Sequence, residues 1–277
     1  MRIGFGKVDI TPRVGVELCG FGPFLNRHSI GVRDRLWARA MAIEAGGRTA
    51  VVVSCDLVAV VLPTTKQVRE LVKEAVGLGE DAVMVHCTHT HSGPATHNSL
   101  GWGVPDLPYM ELLPRRIAEA CIQAVRNLAP AELCHAEVPC EGIGLNREQD
   151  RDAPPLEEVL RDDWRPAKPE LTDTRCHVFR VDSAGKTIGF ASYFGCHPVC
   201  CCETGRRAAL HRHLRIRGRG RRERLADPVE DHLPAGRARH RLDLGVRVHQ
   251  RLERLHDRQY VHEGPVEVHA AGMAVVL

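Results

Sequence analysis

The chain of 277 residues sets 38 Lys and Arg against 35 Asp and Glu, a formal charge of +3, and is 43% hydrophobic but only 4% aromatic. Such a composition belongs to a globular protein rather than a collagenous or disordered one, and its near-even charge gives no general argument for a nucleic-acid or membrane partner. No apolar run reaches the roughly 20 residues that span a bilayer; Lys7 and Asp9 interrupt the N-terminal stretch where a secretion signal would need its apolar core, so a cytoplasmic location is expected.

Arg2–Val8 alternates like a short strand and is stopped by Asp9-Ile-Thr-Pro12, after which Gly20-Phe-Gly-Pro23 is turn chemistry. Leu36–Ala45 and Arg48–Asp56 are apolar runs joined by Gly46-Gly47, the pattern of a hairpin with a buried second strand, although Leu36–Ala45 alone also fits a helix. Pro63 followed by Val68, Leu71, Val72, Ala75 and Val76 predicts an amphipathic helix that closes near Gly77 and Gly79. Ala82–His86 reads as a short buried strand running directly into Cys87-Thr-His-Thr-His-Ser-Gly-Pro94. Tyr109–Leu128 is the longest helical pattern, with Ile117, Cys121, Ala124, Val125 and Leu128 on one face and Pro130 beyond its end. Glu132–Pro139 and Cys176–Val181 read as strands, the second joined through Asp182-Ser-Ala-Gly185 to Thr187–Phe194 as another hairpin. Strands alternating with helices predict an α/β protein, a mixed β-sheet with packed helices. The eleven cysteines are odd in number, lack C-x-x-C pairs and sit mostly in apolar segments, so most are expected to be small buried thiols.

The chemistry gathers at two strand ends. If Thr88-His-Thr-His91 continues its strand, His89 and His91 project to the same side, since side chains repeat every two residues. His197 follows the Thr187–Phe194 strand in Gly195-Cys-His-Pro198, where the proline stops the chain. Neutral imidazole is a common zinc ligand, and a catalytic zinc takes three protein ligands and leaves one position open. The plainer reading is that an H-x-H pair arises by chance and that its rings bond backbone carbonyls. Asp56, ending a buried strand, is either a carboxylate orienting a ligand histidine or a helix-entry cap. His28, His97, His135 and His177 are read as surface or structural histidines.

Taken together, Val8-Asp-Ile-Thr-Pro12, Gly20-Phe-Gly22, Asp34-Arg-Leu-Trp-Ala-Arg-Ala40, Val52-Val-Ser-Cys-Asp56, Thr88-His-Thr-His-Ser-Gly-Pro94, Gly144-Leu-Asn-Arg147 and Cys196-His-Pro-Val199 occur in the order of the neutral (non-lysosomal) ceramidase catalytic domain. The resemblance covers residues 1 to about 203. It implies a zinc-dependent amidase that cleaves an N-acyl bond, with ceramide giving a fatty acid and a sphingoid base. By the same resemblance His89 and His197 are zinc ligands, His91 and Arg147 are catalytic, and the partner is a small N-acyl, lipid-like molecule. On physical grounds an always-charged guanidinium would suit Arg147 to stabilise an oxyanion or orient a polar head, while an isolated Asn-Arg is more often plain surface.

The resemblance also implies a Gly-Asp motif and a Glu and a Tyr completing the metal shell beyond the His-Pro strand. No motif after Cys202 identifies them. Sixteen of the 33 arginines instead crowd into 206–258, a stretch without lysine or aromatics. GC-rich coding DNA read in a shifted frame yields Arg, Ala, Gly, Pro and His, so a frameshift is the expected origin of this change. The expected organisation is a ceramidase-like domain over 1–205, truncated or disrupted in its C-terminal part. An irregular Arg-rich segment follows over 206–240, and 241–277 is a remnant of the same domain. A sheet interrupted at 203 would carry an unpaired edge and leave the apolar face of 109–128 uncovered. The competing function is a non-catalytic binding protein whose Arg-rich tail meets an acidic or nucleic-acid partner; without aromatic interleaving or a binding-fold motif it ranks second.

Overall fold

The structure is a computed structural model that describes residues 1–21, 26–98, 102–144, 146, 158, 161 and 163–198, with the backbone of two further short strands at 207–208 and 272–276. In chain order its elements are β1 (Arg2–Asp9), β2 (Gly31–Val32), β3 (Trp37–Ala45), β4 (Arg48–Cys55), α1 (Leu62–Val76), β5 (Val83–Cys87), α2 (Leu107–Arg126), β6 (Ala129–Pro130), β7 (Glu132–Pro139), β8 (Arg175–Ser183), β9 (Lys186–Phe194), β10 (Arg207–Ala208) and β11 (Gly272–Val276). The expected segment Leu36–Ala45 is a strand from Trp37 onward: β3 pairs along its length with both β1 and β4, a tertiary constraint its own periodicity does not carry.

Five strands form the first sheet in the order β5-β4-β3-β1-β6, mixed because β4 and β5 run parallel through the β4–α1–β5 crossover while the rest are antiparallel. A second sheet, β11-β9-β8-β7, is antiparallel throughout. Side-chain alternation divides the core between these layers. Val8, Ala38, Ala40, Ala42, Val51 and Val53 face the helices and pack with Val68, Val72, Leu113, Ile117, Ala120, Cys121 and Ala124. Ile3, Met41, Phe5 and Ile43 face the other way and meet Val181, Ala191, Leu133 and Phe179 of the second sheet. The molecule is therefore layered as helices, first sheet, second sheet, and the apolar face of α2 is covered by the first sheet rather than left bare.

Two glycines let α2 approach β1 so closely. A Cβ at Gly4 would lie 2.2 Å from the Ala124 carbonyl oxygen, and one at Gly6 would lie 2.0 Å from that of Ala120. The outer edge of β9 is likewise occupied, because Gly272–Val276 pairs antiparallel with Phe190–Phe194. The expected unpaired edge is thus filled by a strand from far along the chain. Of the Arg-rich segment 206–240, only Arg207 and Ala208 lie within the described residues, and they pair parallel with Gly31 and Val32. Among the described residues no helix is long and apolar enough to cross a membrane.

Candidate metal centre

The site forms where the C-terminal ends of the parallel pair β4 and β5 meet the end of β9, the location at which open α/β sheets bind ligands. The parallel pairing persists one residue past β5, with Thr88 N–H donating to the Cys55 carbonyl at 2.9 Å. The strand then stops. His89 has φ of 59°, in the left-handed region that histidine tolerates better than most residues, and Ser92 lies in a tight turn. His89 and His91 therefore share a site through a kinked loop, not through the extended two-residue repeat expected from the sequence.

Each ring is held by its surroundings. His89 Nδ1 lies 2.9 Å from the Val58 carbonyl. A carbonyl only accepts, so Nδ1 carries the proton and Nε2 is left as a lone-pair donor. His91 is buried, and its backbone carbonyl accepts from Arg27 Nη2 at 2.8 Å. The Arg27 guanidinium lies 4.7 Å from the centroid of Phe21, whose ring meets His91 edge-on at 5.2 Å. Gly20 packs against the imidazole so tightly that a Cβ there would stand 2.6 Å from its Cγ.

His197 arrives from the second sheet. Its Nε2 lies 2.9 Å from His91 Nε2, and the centroids of the three rings are 4.7–5.0 Å apart. One potential ligand atom from each of His89, His91 and His197 lies within 4.8 Å of the others. Two imidazole nitrogens this close can share a proton, while the His89 and His197 rings, with centroids 5.0 Å apart, bring their own ligand atoms to the same point. The donor set thus fits a zinc-class ion. Burial pushes the nearby Cys87 thiol up to about 12 and drives Cys55 well above its ordinary value.

Asp56 plays neither of the roles expected of it. Helix α1 is capped at Val61, and the fully buried Asp56 carboxylate accepts from Trp37 N–H at 2.9 Å and Arg39 Nη1 at 2.8 Å. Burial raises the Asp56 carboxyl above its ordinary value, opposed chiefly by the Arg39 guanidinium. Sequence reasoning also overlooked Val58, Arg27 and Gly20. The Gly20-Phe-Gly turn was visible as a motif, but nothing local marks a backbone carbonyl as the partner of a ring.

Arg147 lies outside the described residues. The segment leading to it begins beside the site, because a Cβ at Gly144 would sit 3.4 Å from Cys196 Sγ, next to His197. His97 stays outside the triad, half-buried with its ring 6.5 Å from Trp102, and burial lowers its pKa. The eight described cysteines are all free.

The family model described as neutral/alkaline non-lysosomal ceramidase, N-terminal, matches residues 1–208. The neutral ceramidase of Pseudomonas aeruginosa is 28% identical over 207 residues, covering 71% of this chain and 30% of that protein. Neutral ceramidase A of Dictyostelium discoideum is 27% identical over 208 residues, covering 71% of this chain and 28% of its own length. The crystal structure of the Pseudomonas aeruginosa neutral ceramidase superposes with a TM-score of 0.64 at 25% identity, over 75% of this chain and 34% of that one. A ceramidase complexed with C2 gives the same TM-score over 33% of its chain. The chain thus spans less than a third of the length of these curated relatives. With its family region, its layered sheets and its histidine loop all accounted for, the chain belongs to the neutral/alkaline non-lysosomal ceramidases, whose N-terminal region it carries.

Proposed function

We propose that residues 1–208 supply the histidine half of a zinc-dependent amidase centre that hydrolyses an N-acyl bond in a ceramide-like lipid, releasing a fatty acid and a long-chain amine. The observation that carries this reading is the convergence of His89 and His91 from one sheet with His197 from the other. His89 and His197 are the residues that would hold the metal. Bound there, zinc supplies Lewis acidity toward the amide carbonyl. His91, pinned by Gly20, Phe21 and Arg27, presents Nε2 at the same locus and is placed to hold or pass a proton as the amine leaves. Arg147, on the segment that starts beside Cys196, is the cation proposed to orient the carbonyl oxygen. The remaining metal donors and the residues that complete a substrate pocket are assigned to no position in this chain.

The test uses the full chain. His89→Ala and His197→Ala are expected to lower its zinc content, measured by elemental analysis after dialysis, whereas His97→Ala leaves it at the parent value. Where hydrolysis of a fluorogenic N-acyl amide is measurable, His91→Ala should keep the zinc and the melting temperature yet reduce kcat/KM by about 100- to 1000-fold. Zinc content in His89→Ala and His197→Ala equal to that of the His97→Ala control overturns the assignment.

A further inference from the structure

The second sheet carries another convergence of ligand-type side chains, separate from the histidine loop. On the face of β7, β8 and β9 that meets the first sheet, the strand register makes successive rows: Leu133, Val181 and Gly189; then His135, Phe179 and Ala191; then Glu137, His177 and Tyr193. The first row is interface, with Val181 fully buried and the Gly189 backbone against the Phe5 ring. Along the same face the chemistry then changes from aliphatic to imidazole and carboxylate. His177 and Glu137 are 30% and 50% exposed, so this end reaches past the cover of the first sheet into solvent.

We infer that His135, Glu137 and His177 form a second binding site for a divalent cation of the zinc class, bridging β7 to β8. His135 Nε2 lies 3.2 Å from His177 Nδ1, and His177 Nδ1 lies 3.5 Å from Glu137 Oε1. One potential ligand atom from each of the three lies within 4.8 Å of the others. Donors at tetrahedral zinc are separated by about 3.3 Å, so the two shorter gaps already have the spacing of a coordination edge. The geometry follows from the strands. His135 and Glu137 are two residues apart on β7 and share a face, and His177 is the direct cross-strand partner of Glu137. The His135 ring is also oriented before any ligand arrives, stacked on Phe179 with centroids 4.8 Å apart and nearly parallel to His177 at 14°. Two imidazoles with one carboxylate favour zinc, nickel or copper over calcium or magnesium, which prefer an all-oxygen shell. With three protein donors on one side, the outward positions are left to water, so the site is structural and exchangeable. It ties the exposed rim of the second sheet together.

The site is tested by zinc binding to the full chain, using equilibrium dialysis with elemental analysis. The parent is expected to hold one more zinc per chain than the His135→Ala/His177→Ala variant, and Glu137→Gln to weaken that extra zinc by tenfold or more. The three side chains are surface groups, and matched circular dichroism of parent and variants checks that the sheet is intact. His89→Ala keeps the extra zinc if this inference holds, while the His135→Ala/His177→Ala variant keeps whatever zinc the histidine loop binds, so the two sites succeed or fail separately. Identical zinc stoichiometry and affinity in the parent and the His135→Ala/His177→Ala variant overturns the proposal. Calcium or magnesium competing with zinc at equal concentration overturns the assigned ligand class.

Discussion

Gly20 shows how much of the candidate centre depends on an atom that is not there. Its φ of 115° is one that side-chain-bearing residues rarely adopt, and any Cβ would stand inside the van der Waals contact of the His91 ring. Gly20→Ala must therefore shift either the turn or the imidazole. The expected outcome is a loss of about 1–3 kcal/mol in unfolding free energy by urea titration. A Gly20→Ala protein with unchanged stability would show that the ring is free to move. The left-handed His89 belongs to the same scale. The sequence displayed Thr-His-Thr-His-Ser-Gly-Pro plainly, yet the turn at its second residue depends on Val58 and Thr88 contacts that no local pattern encodes.

Among the elements, α2 illustrates what begins a helix in this fold. Asp106 caps it, accepting from Tyr109 N–H at 3.2 Å, and Arg13 donates to the same carboxylate at 2.6 Å. The Arg13 hydrogen bond is the first cause holding Asp106 below the ordinary carboxylate range, with the Tyr109 N–H adding to it. Because Arg13 is largely exposed, the cap rather than the ion pair supplies most of the stabilisation. Asp106→Ala is expected to cost about 1 kcal/mol at pH 7. A carboxyl with a lowered folded pKa gives its full contribution above its unfolded value of about 4 and loses it as pH falls below that. The gap between parent and variant, followed by thermal unfolding, should accordingly narrow toward pH 3. A constant gap from pH 7 to pH 3 would rule out the carboxylate as its source.

The element scale also shows what was legible beforehand. Both hairpins and both helices could be read from apolar spacing and glycine turns, because each pattern answers to a single buried face. Leu36–Ala45 taken alone could not be told from a helix, since Ala38, Ala40 and Ala42 face the helices while Met41 and Ile43 face the other sheet, and a strand buried on both sides loses its alternation. The close seat of α2 on Gly4 and Gly6 was equally hidden, because an absent side chain leaves no apolar signal. At the site, the histidines were legible as residue types and as strand ends. Their packing partners were not, because those lie far away along the chain.

Across the whole molecule, His89 and His91 belong to the first sheet and His197 to the second, so anything that binds all three also fastens the layers to each other. The strand Gly272–Val276 adds to this arrangement, for it pairs with the length of β9 that leads into His197 and also passes near β3, β4 and β5. That pairing has a kinetic consequence. The β8–β9 hairpin closes across two residues, whereas Phe194 and Gly272 must find each other across a long intervening chain, so its loop-closure entropy is much larger. The last strand should dock after the rest of the sheet has formed. In pulse-labelled hydrogen exchange during refolding, the β9 amides facing β8 are expected to gain protection first and the β9–β11 amides in a later phase. Simultaneous protection of both edges would place the final strand in the folding nucleus. Until it docks, β9 is an open edge able to pair with another chain, so refolding yield should fall as protein concentration rises, even though the finished fold has that edge covered.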